Sequence, residues 1–311
     1  MTLVTEPKQI DIQFTYRQII RLLLVGYTNP HTHRSYYRSL EDFMAWWKKQ
    51  GWTQASKMLI EQYKAYMVNE GVGPTSINLR ITAIKKMFSE AYDNGLIPLE
   101  IARGIERVKG VRWEGKPTGN WLTKEDAQAL LDAPNIETLG GLRDRAILAV
   151  LLGCGLRRAE LVSLTYEHIQ QRDGRWAIVD LVGKRSKKRT IPMASWTMKA
   201  IDEWAMGAWG RIHMGELLFL RMQKGGEVVR NDGLTPDAVR YVVEKYAEQI
   251  GVDISPHDLR RTFARLAFKG DGRLEQLQLS LGHESVETTM KYVGVEQDFV
   301  DAPCDHLGLR L

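Results

Sequence analysis

The sequence predicts a mainly α-helical protein of two domains, the second of which is an α+β unit with a small antiparallel sheet. Apolar residues recur at helical spacing through the first hundred residues. A stretch with three glycines and no apolar periodicity, residues 107–120, then interrupts the pattern. Strand-like segments follow between about residues 168 and 193, with helical patterns on both sides. A chain of 311 residues is long enough to form two such domains.

Two apolar stripes predict helices in the first domain, residues 1–108. Each stripe has the spacing i, i+4, i+7 and i+11, which places its members on one helix face. The stripes consist of Tyr36, Leu40, Phe43 and Trp47, and of Ile77, Ile81, Ile84 and Phe88. Pro74 supplies a start signal for the second of these helices, and Gly95 a stop signal. We interpret both stripes as the core of the domain.

Positive charge is concentrated at two places in a chain whose net charge is only +5. Arg80, Lys85 and Lys86 fall outside the second stripe and serve either solubility or a face that grips a phosphate backbone. A run of five cations in six residues follows a predicted strand at 176–182: Lys184, Arg185, Lys187, Lys188 and Arg189. Most charge runs are solvated turns. A hairpin tip without any acidic residue is better explained by contact with phosphate groups.

A linker at residues 109–120 is expected to join the first domain to the second, residues 121–311. Thr123 and Asp126 form a capping-box pattern that predicts a helix start. Residues 142–152 are mostly apolar and predict a helix that ends at the glycines after it. Two short strand pairs come next, and helices are predicted from there onwards.

The segment SPHDLRRTF at residues 255–263 predicts a capped helix whose first turn carries a histidine and an arginine. Ser255 is a favourable N-cap, and Asp258 completes a capping box. His257 and Arg260 share a face near the helix N-terminus, where unpaired N–H groups favour a phosphate. An isolated pair of this kind is more often a surface feature, so the motif alone does not identify a site.

A turn is expected between His283 and Tyr292, which lie nine residues apart. On one continuous helix their side chains would lie on opposite sides, about 13 Å apart along the axis. Gly282 is expected to end one helix, and Ser285 can cap the next. The histidine and the tyrosine can therefore face the same site without sharing a helix face.

Another arginine follows a glycine turn in the segment GLRRAEL, residues 155–161. Arg157 and Arg158 would be about 100° apart on a helix, so only one of them can face a common site. The sequence has no H-E-x-x-H, Walker A or dinucleotide-binding motif and no acidic cluster for Mg²⁺. His31 and His33 lack nearby metal-ligand partners and are interpreted as part of a surface loop. Chemistry on a phosphate held by arginines then needs a covalent nucleophile, and a tyrosine hydroxyl can serve.

Four segments, taken in this order, resemble the tyrosine recombinase, or phage-type integrase, family. They are GLRRAEL at 155–161, VGKRSKKRTIP at 182–192, HDLRRTF at 257–263 and LGHESVETTMKY at 281–292. These segments cover the second domain, and the helical first domain is similar to the family's SAM-like core-binding domain. The resemblance implies that the second domain is catalytic. The catalytic residues it implies are Arg157, Lys184, His257, Arg260, His283 and Tyr292.

The resemblance implies a site-specific DNA recombinase and a role for each matched residue. Tyr292 attacks the scissile phosphate, which forms a 3′-phosphotyrosyl bond and releases a 5′-hydroxyl. Arg157 and Arg260 neutralise the non-bridging oxygens. His257 manages the tyrosine proton, and His283 hydrogen-bonds the phosphate.

Lys184 matches the general acid that protonates the leaving oxygen. The family often has a glycine after this lysine, and this sequence does not, so Lys187 or Lys188 is an alternative acid. The resemblance implies that neither a metal nor another cofactor is needed, because the 5′-hydroxyl of a partner strand reverses the step and conserves the bond energy. It also implies a homotetramer on two DNA duplexes and a monomer in the absence of DNA.

The sequence predicts a protein of the bacterial or archaeal cytoplasm. No stretch approaches the roughly 18 apolar residues of a membrane helix, and the N-terminus has no signal-peptide pattern. Cys154 and Cys304 form no disulfide framework, which suits a reducing compartment. Only about a dozen residues precede the first predicted helix, which favours two-domain members such as Xer-like or mobile-element recombinases.

Two other functions compete with recombination. A topoisomerase IB-like enzyme would use the same groups to cut and reseal one duplex, without sequence specificity or synapsis. A non-catalytic DNA-binding regulator on this scaffold would be expected to have lost at least one catalytic position, whereas the set here is complete.

The resemblance further implies that the segment after Tyr292 docks on a neighbouring subunit. Its apolar residues form two groups: Val293, Val295, Phe299 and Val300, and then Leu307, Leu309 and Leu311. Pro303 between the groups is expected to interrupt any helix. A frayed terminus is the alternative interpretation.

Overall fold

The computed structural model describes residues 12–112, 120–183, 187–208, 216–223 and 225–293. The chain divides into two compact units, Met1–Lys116 and Pro117–Leu311. The point of division lies within the predicted linker, while the bounds proposed for the two domains stay predictions.

The first unit is helical in its described part, as the apolar stripes predict. Its helices are α1 (Ile12–Val25), α2 (Pro30–Lys49), α3 (Lys57–Asn69), α4 (Pro74–Asp93) and α5 (Leu99–Glu106). Every residue of the two stripes is at most 9% exposed, so the predicted core is confirmed. The ring of Phe43 lies within that core, 5.5 Å from the ring of Trp47 and 5.1 Å from that of Tyr63 between centroids.

One interpretation in this unit is wrong. His31 and His33 lie in the first turn of α2 rather than in a surface loop. The side-chain oxygen of Asn29 accepts hydrogen bonds from the backbone N–H groups of His31 (2.9 Å) and Thr32 (3.2 Å). Pro30 occupies the first helical position, where a missing N–H is harmless. The cap and the proline therefore begin the helix before the two histidines.

The second unit combines helices with two small antiparallel sheets. Its helices are α6 (Lys124–Asp132), α7 (Leu139–Cys154), α8 (Arg158–Val162), α9 (Ser195–Gly207), α10 (Pro236–Gln249), α11 (Pro256–Lys269), α12 (Leu274–Leu281) and α13 (Val286–Val293). Its strands are β1 (Ile169–Arg172), β2 (Arg175–Val182), β3 (Lys188–Pro192), β4 (Leu220–Met222) and β5 (Val228–Gly233). The helix start predicted at Thr123 is confirmed, because its side chain accepts the N–H of Asp126 at 3.0 Å.

The first sheet contains both predicted strand pairs, which share β2. Strand β2 pairs antiparallel with β1 on one side and with β3 on the other. Ile178 of β2 is the partner of Ile169 and of Ile191, and all three are buried. These contacts anchor the hairpin that carries the basic run to the core of the unit.

The second sheet, formed by β4 and β5, is absent from the sequence prediction, which places helices in this region. Leu220 pairs with Gly233, and Met222 with Val228, with a register shift between them. Gly226 has a φ of 83°, a conformation that favours glycine. Strand β4 has only three residues, too few to give the apolar alternation by which a strand is recognised.

Helix α7 is buried along most of its length and packs against α9 and α11. It begins three residues before the predicted helix at 142–152 and ends two residues after it. It ends at Gly155, whose φ is 61°. A Cβ at this position would lie 2.5 Å from the Phe263 side chain of α11. The glycine therefore permits both the turn and the close approach of the two helices.

A small separate core joins α11, α12 and α13. It consists of Ala264, Leu277, Leu281 and Val293, with Tyr292 and Phe263 packed against it. Val293 is only 4% exposed within its own chain. The sequence groups Val293 with residues that dock on a neighbour, and this assignment is wrong because the side chain is already buried here.

Candidate active site

The N-terminus of α11 is built as its capping motif predicts. Asp258 accepts hydrogen bonds from the backbone N–H of Ser255 at 3.0 Å and from its hydroxyl at 2.6 Å. Pro256 occupies the first helical position. This rigid first turn fixes the backbone from which His257 and Arg260 project.

His257 contacts the hydroxyl of Tyr292. The distance from Nε2 of His257 to Oη of Tyr292 is 2.5 Å, and which atom donates depends on the histidine tautomer. Tyr292 lies near the end of α13, which packs against both α11 and α12. The contact joins a helix start to a helix end across 35 residues of sequence.

His283 lies in the corner between α12 and α13, as the sequence predicts. Gly282 ends α12 with a φ of 64°, and Ser285 accepts the N–H of Thr288 at 3.3 Å in the first turn of α13. The Nδ1 atom of His283 lies 3.0 Å from the hydroxyl of the buried Thr289. Its ring centroid is 4.7 Å from that of Tyr292. The chain turns between the two residues, and both rings face one site.

Arg157 and Arg158 diverge, and only Arg157 joins the site. Arg157 is the N-cap of α8, and its guanidinium donates to Glu160 at 2.8 Å. Arg158 instead pairs with Asp237 at 3.2 Å on the exposed surface. The side chain of Arg157 is 37% exposed, so it remains accessible to a ligand.

Arg260 is buried behind the site, with a side chain that is 1% exposed. Its Nη1 donates to the carbonyl of Gly155 at 2.7 Å, and its Nη2 donates to the carbonyl of Leu281. Burial, followed by the charge of Arg157, lowers the pKa of Arg260 to about 10. Its buried Nε has no hydrogen-bond partner among the described residues.

Both histidines of the site have lowered pKa values. Burial, Arg260 and Arg157 lower the pKa of His283 to about 4. Partial burial, Arg261 and Arg260 lower the pKa of His257 below its usual value of 6.5. Both rings are therefore neutral at neutral pH. A neutral imidazole at His257 can accept the proton of the tyrosine that it contacts.

Glu160 is a buried carboxylate that the sequence analysis does not single out. Its side chain is 6% exposed and accepts the backbone N–H of Arg157 at 2.8 Å. The two Nη groups of Arg189 donate to its two oxygens at 3.0 and 2.9 Å. Burial raises the pKa of Glu160, but hydrogen bonds from Arg189 and Arg157 outweigh this and leave it below the usual value. The acid lies within GLRRAEL, and its position among cations is the signal that could have identified it.

The contacts of Arg189 in the structure differ from those predicted by the sequence. The sequence places it among the cations that contact DNA, but its side chain is 11% exposed and its guanidinium is engaged with Glu160. Its Nε also donates to the carbonyl of Ser280 at 2.9 Å. It is thus a mostly buried partner of Glu160 at the wall of the site rather than part of the exposed basic surface.

The other residues of the basic hairpin lie beside this site. Lys184 and Arg185 fall outside the described residues. The N–H of Gly183 donates to the carbonyl of Lys187 at 2.8 Å and closes the turn. Lys187 lies 3.8 Å from Glu284, and Lys188 lies 3.7 Å from Asp180.

A cavity of about 410 Å³ opens between the basic hairpin and the α12–α13 corner. Arg157, Lys187, Lys188 and His283 are among its lining residues. Its walls carry the cations Arg157, Lys187, Lys188 and Arg189 against one carboxylate, Glu284, and this excess of positive charge suits an anionic ligand.

Arg261 is another residue that the sequence analysis does not single out. Its guanidinium carbon lies 5.6 Å from the centroid of the Tyr292 ring. Asp258 accepts a hydrogen bond from its Nη1 at 3.2 Å. Its charge is also the largest ionic cause of the lowered pKa of His257.

The three basic residues predicted to grip DNA in the first unit are engaged with that unit itself. Arg80 pairs with Asp42 at 3.0 Å, and Lys85 donates to the carbonyl of Glu106 at 2.6 Å. Lys86 lies 5.8 Å from the ring centroid of Tyr27. A cavity of about 310 Å³ in this unit is lined by His31, Arg34, Arg38 and Arg80 among others. Their contact with DNA stays a prediction.

Two kinds of site are not found in the part of the chain that the structure describes. No group of three or more histidine, cysteine or acidic residues there is arranged to hold a metal ion. No helix there is both long and apolar enough to span a membrane.

Two family models match the sequence. The model of the Phage integrase family matches residues 120–298, and that of the Phage integrase, N-terminal SAM-like domain matches residues 21–95. The chain is 30% identical over 276 residues to Tyrosine recombinase XerC of Thermodesulfovibrio yellowstonii, covering 86% of this chain and 87% of that protein. It is 28% identical over 272 residues to Tyrosine recombinase XerD of Pseudomonas aeruginosa, covering 85% of this chain and 87% of that protein.

The fold is similar to that of a solved structure, the XerH site-specific recombinase bound to palindromic difH substrate in a post-cleavage complex. The TM-score is 0.69 at 19% identity, covering 85% of this chain and 76% of that one. At this identity the likeness concerns the fold. The predicted fold class, a helical SAM-like domain followed by an α+β domain with a small antiparallel sheet, is confirmed.

Proposed function

The chain belongs to the phage integrase family, and from this premise we propose that Tyr292 is the nucleophile with which it cuts and rejoins DNA. The protein is a tyrosine recombinase, an enzyme of site-specific recombination. The observation that carries the assignment of Tyr292 is its 2.5 Å contact with His257 beside Arg157 and Arg260. A tyrosine hydroxyl next to a neutral imidazole, one accessible arginine and one buried arginine is arranged for attack on a phosphate.

In the proposed first step, Oη of Tyr292 forms a bond to the scissile phosphorus and the bond to the 5′-oxygen breaks. Nε2 of His257 takes up the tyrosine proton. The products are a 3′-phosphotyrosyl bond and a free 5′-hydroxyl. The 5′-hydroxyl of a second strand then attacks the same phosphorus, and Tyr292 leaves with its proton restored.

Charge that develops on the non-bridging oxygens is offset by Arg157 and Arg260. The accessible guanidinium of Arg157 can donate to one oxygen. The charge of Arg260, which is buried behind the site, offsets the developing negative charge electrostatically. His283 is neutral and keeps one ring nitrogen beyond its contact with Thr289, so it can hydrogen-bond the same phosphate.

We assign protonation of the leaving 5′-oxygen to Lys184, on the family resemblance. General acid catalysis of this kind contributes about 10²–10⁴-fold. Lys187 and Lys188 line the neighbouring cavity and remain the alternative acids.

The proposed substrate is double-stranded DNA that carries a recombination site. We propose that both units bind it, with Arg80, Lys85 and Lys86 among the contacts of the first unit and Arg185, Lys187 and Lys188 among those of the second. A homotetramer on two duplexes, a monomer without DNA and a cytoplasmic location complete the proposal.

The two competing functions are less well supported. The relatives that cover most of this chain are named tyrosine recombinases, not topoisomerases. A non-catalytic regulator is disfavoured because Tyr292, His257, His283 and both arginines converge on one site.

The first prediction is that Tyr292→Phe abolishes covalent attachment to DNA and leaves DNA binding nearly unchanged, because only the nucleophilic oxygen is removed. A nicked suicide substrate traps the covalent product, which a denaturing gel separates from free protein. Tyr241→Phe is a matched control, because Tyr241 lies on α10 and is 68% exposed. Persistent covalent product in Tyr292→Phe would remove this residue from the role.

A further inference from the structure

We infer that Arg189 is a positioning residue for strand cleavage: its guanidinium holds Glu160, and through it Arg157, in a fixed relation to the corner that carries His283. The inference rests on the proposed function, because it assumes that Arg157 and His283 act on the scissile phosphate. Arg189 itself donates to Glu160 and to Ser280, and it acts on the reaction through these neighbours.

Glu160 interacts with the arginines of the site and connects them to one another. Its two oxygens accept both Nη groups of Arg189, the guanidinium of Arg157 and the backbone N–H of Arg157, at distances between 2.8 and 3.0 Å. Arg260 lies 3.9 Å from the same carboxylate. The orientation of Arg157 therefore depends on the orientation of Glu160, which the two-pronged contact with Arg189 fixes.

Arg189 also holds the turn before His283. Its Nε donates to the carbonyl of Ser280, in the last turn of α12. A Cβ at Gly282 would lie 3.0 Å from Cδ of Arg189, and the φ of Gly282 is 64°. The glycine thus both ends α12 and leaves room for the Arg189 side chain to pass beneath the corner.

The side chain of Arg189 connects three secondary-structure elements. Arg189 lies on β3 and pairs with Leu181 of β2, which anchors it to the sheet. Glu160 lies on α8, and Ser280 lies on α12. A guanidinium has donors in a fixed planar fork, so it can set the distance and angle between α8 and α12 in a way that a flexible ammonium cannot.

Two simpler roles for Arg189 explain less. As a DNA contact it would need donors free at the surface, but each of its three nitrogens already donates to a protein oxygen, and its side chain, only 11% exposed, keeps at most two N–H groups for another partner. As a source of stability alone, a buried ion pair is often no better than an apolar replacement. Neither role explains why its contacts converge on the two segments that present Arg157 and His283.

The test uses the full-length variants Arg189→Gln and Arg189→Lys. Single-turnover cleavage of a nicked suicide substrate is measured at saturating DNA and well below each variant's unfolding temperature. We expect cleavage by Arg189→Gln to fall by about 10²-fold with DNA affinity unchanged, since a small displacement of a positioning group can have this effect. We expect Arg189→Lys not to restore the rate, because it keeps the charge but loses the fork. Restoration of the full rate by lysine would overturn the inference.

A second readout separates positioning from folding. Arg189 is one of the cations that lower the pKa of His283. In Arg189→Gln, the NMR-titrated pKa of His283 is therefore expected to rise. Arg221→Gln is the matched control, because Arg221 is also a strand arginine paired with an acid, Asp232 at 2.7 Å, but it is 62% exposed. The control is expected to leave both cleavage and the His283 titration unchanged.

The outcomes distinguish this inference from the proposed function. Failure of the wild-type protein to form a covalent adduct counts against the proposed function itself. A wild-type adduct together with full-rate cleavage by folded Arg189→Gln overturns only the role of Arg189. If Arg189→Gln does not fold, the double variant Glu160→Gln/Arg189→Gln, which removes both buried charges, takes its place. Slow cleavage by the folded double variant supports positioning by the Glu160–Arg189 pair, and cleavage at the wild-type rate overturns the inference.

Discussion

His257 both contacts the hydroxyl of Tyr292 and responds to the charges of the surrounding arginines. Its Nε2 contacts the tyrosine hydroxyl, and partial burial followed by Arg261 and Arg260 lowers its pKa. A lowered pKa leaves the ring unprotonated and able to accept a proton at neutral pH. Arg261 contributes to this state while its guanidinium also lies over the ring of Tyr292.

We therefore predict that Arg261→Gln raises the pKa of His257. In the DNA-free wild-type protein, the pKa should lie below 6.5, since burial and the charges of Arg261, Arg260 and Arg157 disfavour the charged ring. Loss of Arg261 removes one of those cations, so the titration should shift to higher pH. NMR titration of the histidine ring protons measures it, with His257→Gln identifying the signal.

Lys269→Gln is a suitable control for the Arg261 variant. Lys269 lies on the same helix, twelve residues from His257 and about 18 Å away along the axis. Its removal should leave the titration of His257 unchanged. A His257 titration that is identical in Arg261→Gln and wild type would show that Arg261 does not control the charge of this ring.

At the scale of single residues, the sequence identifies the residues proposed to act on the phosphate better than the residues that position them. His257, His283 and Tyr292 stand in motifs whose order and spacing are specific, and the structure brings their rings together. The pairing of Glu160 with Arg189 joins residues 29 apart on different elements. Nothing in the local pattern of either segment specifies that contact, because it depends on how α8 packs beside β3.

The basic hairpin is the element whose charge most directly suits DNA. Lys187 and Lys188 are exposed at the start of β3, beside the cavity lined by Arg157 and His283. Their ion pairs with Glu284 and Asp180 are long and exposed, at 3.8 and 3.7 Å. Exposed pairs of this kind contribute little to stability, so the lysines can exchange these partners for phosphates at small cost.

We predict that Lys187→Gln and Lys188→Gln each reduce the salt dependence of DNA binding. Each phosphate that is no longer neutralised should change the slope of log Kd against log salt by about 0.9. Binding titrations over a series of salt concentrations give the slope, and Lys269→Gln again serves as the control. A slope that does not change in either variant would place these lysines away from the DNA backbone.

Elements with a clear start or stop signal are predicted well, and elements without one are not. The ends of α7 and α12 follow from Gly155 and Gly282, whose positive φ values suit glycine. Strand β4 is missed because its three residues gain their structure from pairing with β5 rather than from their own pattern. The start of α2 is missed because the capping role of Asn29 before a proline is not recognised.

At the scale of the whole molecule, each unit has a core of its own. The core of the first unit is rich in aromatic residues, and that of the second is organised around the buried helix α7. This division could be predicted, since the glycine-rich stretch at 107–120 separates two long apolar patterns. The arrangement of the two units on a recombination site depends on the DNA itself, which the apolar pattern of the sequence does not describe.

The segment after Val293, which the family resemblance assigns to docking on a neighbouring subunit, lies outside the described residues. Val293 itself packs in its own chain against Leu277 and Leu281, so a truncation that tests docking on a neighbour must keep it. Removal of residues 298–311 meets this condition and deletes Phe299, Val300 and the three terminal leucines. The small core that holds Tyr292 is left intact.

We predict that this truncation preserves the folded monomer and single-site DNA binding but impairs synapsis and strand exchange. Burial of two or three apolar side chains on a neighbour would contribute about 1.5–3 kcal/mol each before ordering costs, enough to support cooperative assembly. Gel-shift titration measures binding, and a recombination assay on two sites measures exchange. The full-length variant Phe299→Ser/Val300→Ser should reproduce the defect, because it removes the first apolar group and keeps the length. Recombination at the full rate by the truncated protein would mean that the segment is a frayed terminus, the alternative that the sequence alone allows.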